Sequence, residues 1–119
     1  GTNDAHFAET ATTPQQKAAE VQNSIAQQEG VLQTLSDTPC VIWVGVQEHN
    51  TSLNLIQWGP QLNAGFVTNV AAHPNAHFLD WESQMKAHPE WQGEDGLHFS
   101  ELGNVAYATA ITQAVSQLC

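Results

Sequence analysis

The chain has 119 residues, with 2 Lys plus Arg against 12 Asp plus Glu for a formal charge of −10, and its two cations, Lys17 and Lys86, stand far apart. Binding to nucleic acid by counterion release needs clustered basic residues, so nucleic acid is excluded as a partner, and an anionic membrane surface is disfavoured for the same reason. Apolar residues make up 41%, ordinary for a globular domain, and no run approaches the roughly 18 that a membrane span requires.

No repeat or charge block divides the sequence, which reads as one unit. After an opening loop over 1–12, Thr13 and Pro14 start a helix, a hydroxyl N-cap followed by proline where its missing N–H costs nothing. Ala18, Val21, Ile25, Leu32 and Leu35, with Gln28 between, form one stripe at helical spacing; Gly30 sits inside it at about 1 kcal/mol relative to alanine. Asp37-Thr38-Pro39 breaks the pattern. Cys40 to Val46 is an unbroken apolar run rich in β-branched residues, the mark of a strand inside a parallel sheet covered on both faces. A polar loop follows from Gln47 to Gly59. Pro60 opens a second helix to about Ala72, with Leu62, Phe66 and Val70 inward. His77-Phe78-Leu79 is a short strand, 81–99 a loop holding Trp81, Trp91 and Gly93, and Ser100 the N-cap of a last helix with the stripe Val105, Ala108, Ile111 or Thr112, Val115 and Leu118. Helices alternating with strands predict a layered α/β fold.

In a parallel sheet the strand-to-helix loops share the carboxyl edge, where ligands bind. Loops 47–59 and 81–99, and 1–12 if a strand precedes it, converge there and carry most of the His, Asp, Glu and Asn residues. Cys40 and Cys119 fall at the opposite edge, where a disulfide is geometrically reasonable and would contribute about 4 kcal/mol by the chain-entropy argument; two separate buried thiols are the alternative. An even cysteine count in an acidic chain is compatible with a secreted or cell-envelope location.

Glu94-Asp95-Gly96-Leu97-His98-Phe99-Ser100 precedes the last helix. An Asp three residues before a His in a turn reaches the imidazole Nδ1–H and leaves Nε2 as a base, two-thirds of a hydrolytic triad. The bland alternative is a turn-capping Asp beside a surface His. With Ser100, Gly103 and Tyr107-Ala108 following, this block resembles the final block of the SGNH or GDSL family of serine hydrolases, and Gly1-Thr2-Asn3-Asp4 is similar to that family's G-x-N-D block. The resemblance covers nearly the whole chain in order.

It implies a three-layer α/β/α sandwich with a parallel sheet, flavodoxin-like, and a serine esterase or lipase that hydrolyses carboxylic esters through an acyl-serine intermediate. His98 would be the general base, Asp95 its orienting partner, Asn3 an oxyanion donor and Asp4 a support of the loop. No cofactor is implied. The departure is the absence of a G-D-S block, since Ser24, Ser36, Ser52, Ser83, Ser100 and Ser116 offer no nucleophile turn. Residues 1–119 are therefore expected to be the C-terminal portion of one such domain. A missing N-terminal segment would carry the first strands and the serine, leaving a sheet edge exposed. The rivals are an O-acyltransferase acting on saccharides and an inactive binding domain of the same fold.

His49, Trp58 and Trp91 are candidates to line the cleft for a small-molecule, lipid or saccharide ester. Asn50-Thr51-Ser52 fits a glycosylation sequon. No metal set is expected, because His73 and His77 straddle Pro74 and lack a third ligand at helical spacing.

Overall fold

The computed structural model of the chain describes residues 2–48 and 53–119. In chain order they form α1 (Thr2–Thr10), α2 (Pro14–Thr34), β1 (Val41–Val44), α3 (Leu53–Ala72), β2 (Ala76–Leu79), α4 (Trp81–Ala87), a 3-10 turn (Pro89–Trp91) and α5 (Glu101–Leu118). The described residues are mostly helical, and their two-stranded sheet is short of the wider one that a three-layer sandwich requires.

α2 begins where its residues ask it to. The Thr13 hydroxyl accepts from the Gln16 N–H, the Gln16 side chain accepts from the Thr13 N–H, and Pro14 occupies the first turn. Gly30 lies inside the helix, and Val21, Gln28 and Leu32 are buried. β1 and β2 run parallel, from Val41 opposite Ala76 to Val44 opposite Leu79. Strand alternation sorts the packing. Val41, Trp43, Ala76 and Phe78 meet Leu32 and Val70 of α2 and α3, while Val44 and Leu79 meet Trp81, Met85 and Ala110 of α4 and α5. Helices thus cover both faces. The four residues of β1 are only half-buried, not enclosed as an interior strand would be.

Three expectations are corrected. Residues 2–10 are a helix, not a loop: Ala5 and Ala8, wholly buried, let α1 lie close against Val21, Trp58 and Leu62. α3 starts at Leu53, so Pro60 lies inside the helix and loop 47–59 is shortened; Trp58, one turn before Leu62, anchors the added turns in the core. Residues 81–91 are α4 and a 3-10 turn, with the Asp80 carboxylate capping the Ser83 N–H at 3.0 Å.

α5 starts from its Ser100 cap as expected, but with another face inward. Gly103, Ala110 and Ala114 are buried, whereas Val105, Val115 and Leu118 are exposed. Small residues let the helix approach the bulky Trp81 and Met85, and the predicted stripe is turned outward. Cys40 and Cys119 form a disulfide with a Cα–Cα distance of 5.6 Å, tying the start of β1 to the end of α5; the pairing fits an oxidising compartment. Among the described residues no helix is long and apolar enough to cross a membrane.

Candidate functional site

The segment from Gln92 to Ser100 is a tight, self-bonded loop. Gln92 and Phe99 form an isolated antiparallel bridge, the Gly93 N–H donates to the His98 carbonyl at 2.8 Å, and the Gly96 N–H donates to the Gly93 carbonyl at 3.0 Å. Gly96 has φ 67°, a left-handed conformation that glycine takes without a Cβ penalty. Its exit is fixed by the Ser100 N–H on the Trp91 carbonyl at 2.8 Å and by the Ser100 hydroxyl, which donates to the Glu90 carbonyl at 2.8 Å and caps Gly103.

This geometry aims Asp95 at His98. One carboxylate oxygen accepts from the Leu97 and His98 N–H groups, each at 2.9 Å, and the other lies 2.6 Å from His98 Nδ1. The imidazole bond and then the two main-chain N–H groups hold the Asp95 carboxyl well below the usual carboxylate range. A carboxylate against Nδ1 selects the Nδ1–H tautomer and leaves the lone pair on Nε2. The His98 side chain is 80% exposed, so its ring is open to a reactant.

His98 borders a groove of about 610 Å³ at the carboxyl end of β1, bounded by Val44 to Gln47, Leu97 and Phe99, and reached from α1 by Asn3. The structure therefore brings Asn3, exposed at the start of α1, into the same groove as His98; Asp4 follows it, half-buried. The aromatic walls are Trp43, Phe66, Trp81 and Tyr107. Trp58 and Trp91, the two other cleft candidates, are not among the residues bordering this groove. Trp58 is 7% exposed in the core, its indole N–H donating to Glu9 at 3.3 Å. Trp91 lies off the groove, stacked between the Trp81 and His88 rings at 5.6 and 4.0 Å. His49, with the sequon Asn50-Thr51-Ser52, lies outside the described residues.

Sequence reasoning missed Gln47 and Asn63. Gln47, buried just past β1, donates from Nε2 to the Leu97 carbonyl at 2.8 Å and so ties the strand end to the loop carrying His98. Its position directly after the apolar run was the available signal. Asn63 holds Val46 from α3. Among the described residues two buried side-chain polar atoms lack a partner, Gln47 Oε1 and Trp81 Nε1, and both belong to residues bordering the groove. Among the described residues no serine borders it, and no group of three or more His, Cys, Asp and Glu could hold a metal.

No family model matches the chain, and no solved structure matches it. Among curated proteins it is similar to the "Putative peptidoglycan O-acetyltransferase YrhL" of Bacillus subtilis (strain 168), at 30% identity over 59 residues. The matched stretch is 50% of this chain and spans 9% of that protein's length.

Proposed function

We propose that these residues form the base-bearing part of an SGNH-type acyl-transfer site, in the C-terminal portion of an α/β/α domain, that passes an acyl group to a saccharide hydroxyl at the cell envelope. The observation that carries the reading is the Asp95–His98 contact of 2.6 Å on the groove that Asn3 also borders. The similarity to a protein named as a peptidoglycan O-acetyltransferase favours a saccharide acceptor.

In this reading a serine, supplied by polypeptide outside these residues, gives its proton to His98 Nε2 as its oxygen attacks the ester carbonyl. The carbonyl pair moves onto oxygen, where the Asn3 amide donates to it. Collapse reforms the carbonyl and expels the alcohol, which takes the proton from His98. The acceptor hydroxyl then repeats the sequence on the acyl-serine and releases the serine. Asp95 keeps the ring oriented and stabilises the imidazolium formed in each half.

Ester hydrolysis is the second reading, favoured by the 80% exposure of His98, which gives water the same access. The test uses a longer polypeptide containing these residues, with p-nitrophenyl acetate as donor and a chitooligosaccharide as acceptor. Acetylated oligosaccharide formed faster than free acetate supports transfer, and the reverse supports hydrolysis. No p-nitrophenol release together with no fluorophosphonate labelling would leave only a binding domain. His98→Ala is expected to lower turnover by about 10³-fold or more at unchanged fold; near-normal turnover sinks the assignment.

A further inference from the structure

We propose that Gln47 and Trp81 form a subsite in the groove beside His98 that recognises a saccharide by an uncharged secondary amide, an N-acylamino substituent on the sugar ring. That this saccharide is the acyl acceptor rests on the acyl-transfer reading; the subsite itself rests on the chemistry of the groove.

The groove is neutral in a strongly acidic chain. The sequence has 12 Asp plus Glu, yet among the described residues none of them borders the groove, and neither lysine does. Its titratable side chains are His98 and Tyr107, and burial pushes the Tyr107 phenol up, so that it stays uncharged at neutral pH. A carboxylate, phosphate or ammonium group would leave water there without a countercharge to repay it.

Two bordering residues each hold a buried polar atom that no described residue pairs: Gln47, 5% exposed, an acceptor in Oε1, and Trp81, 1% exposed, a donor in Nε1–H. They follow adjacent strands at the same edge, since Val44 pairs with Leu79 and the two residues come shortly after these in the chain. Both are fixed in place. The Gln47 amide is anchored by its Nε2 on the Leu97 carbonyl at 2.8 Å, and the Trp81 ring is stacked on Trp91 and met edge-on by Phe99 and Tyr107. Preorganised groups of this kind lose little freedom when a ligand pairs them.

Their polarity selects the ligand. The Gln47 oxygen only accepts and the indole N–H only donates, so a ligand that satisfies both offers a donor and an acceptor without charge. A carboxylate has no donor and an ammonium no acceptor. A secondary amide presents its N–H and C=O from opposite sides of one plane, whose flat faces suit the aromatic walls at Trp43, Phe66 and Tyr107. A hydroxyl presents both from a single atom and covers none of that wall.

The test follows the Trp81 indole N–H of the 119-residue protein by nitrogen-15 NMR during titration with three trisaccharides. Chitotriose carries N-acetyl amides, cellotriose carries hydroxyls in their place, and the chitosan trimer carries free amines. Chitotriose should shift the Trp81 resonance and bind about 10-fold or more tightly than either of the others, because an analogue without the amide leaves buried groups unpaired. Trp81→Phe, which keeps an aromatic ring against Trp91 and removes the N–H, should erase that preference; the wild-type resonance decides the matter even where the variant fails to fold. Equal binding of chitotriose and cellotriose overturns the inference, as does the absence of a shift with any of the three. A long-lived water that stays on the indole N–H under saturating chitotriose overturns it as well. Amide-dependent binding without acyl transfer to chitotriose by a longer polypeptide keeps the subsite and removes the acyl-transfer reading. Transfer to chitotriose and cellotriose at equal rates, with no indole shift, does the reverse.

Discussion

The side chain of Asn63 bonds both main-chain groups of Val46: its carbonyl oxygen accepts the N–H at 2.8 Å and its amide donates to the C=O at 2.7 Å. The same amide donates to Glu48 at 2.8 Å. One residue of α3 thus closes the end of β1 and sets the course of the chain toward Gln47 and the groove. Asn63→Ala leaves a buried N–H and C=O unpaired, at about 1–3 kcal/mol each, and the expected loss in urea unfolding is about 3 kcal/mol. Asn63→Asp keeps the acceptor but sets a carboxylate against Glu48, so its destabilisation should grow from pH 4 to pH 7. A loss under about 0.5 kcal/mol for the alanine variant would show that the double bond does not form in solution.

The carboxyl of Asp95 should titrate below its ordinary value near 3.8, because the His98 ring and two main-chain N–H groups favour its charged form. A group with a depressed folded midpoint contributes stability above the ordinary value and loses it as pH falls through the depressed one. The carbon-13 shift of the Asp95 carboxyl measures this directly. In His98→Ala the largest cause is removed while both N–H groups remain, so the midpoint should rise toward 3.8 without reaching it. An unchanged midpoint would mean that the ring does not contact the carboxylate.

Gly103 is where α5 crosses the chain leaving the Trp pair. A Cβ there would collide with the Trp91 main-chain carbonyl oxygen, the atom that accepts the Ser100 N–H. Gly103→Ala gains about 1 kcal/mol of helix propensity. Against this, displacing rigid backbone in a packed site costs up to about 3 kcal/mol. Net destabilisation is expected, with a change in tryptophan fluorescence as the Trp81–Trp91 stack shifts. A variant more stable than wild type would show that α5 sits further from the loop.

The features legible in the sequence are those set by neighbours in the chain: the Thr13-Pro14 start, the Ser100 cap, the apolar run of β1, and the Asp95 turn, whose carboxylate meets Leu97 and His98 within three residues. α1 was not legible because its buried face is Ala5 and Ala8, residues with no apolar signature in a helix. The same holds for α5, where glycine and alanine face inward while valine and leucine face out. Pro60 reads as a first-turn residue and instead sits inside α3. The contacts of Asn63 with Val46 and of Gln47 with Leu97 join residues 17 and 50 positions apart, a pairing that only the packing of whole elements decides.

The disulfide separates stability from the site. Cys40 and Cys119 close a loop of 79 residues at the amino edge of the sheet, away from the groove at its carboxyl edge. Chain entropy assigns a cross-link of that span about 4.5 kcal/mol, acting on the unfolded ensemble. Replacing both cysteines by serine should therefore lower urea stability by about 4 kcal/mol and leave the Asp95 titration unmoved. Ellman reagent should find no thiol in the denatured, unreduced protein. Two thiols there would refute the pairing; a shifted Asp95 midpoint in the double variant would show that β1 transmits strain from the one edge to the other.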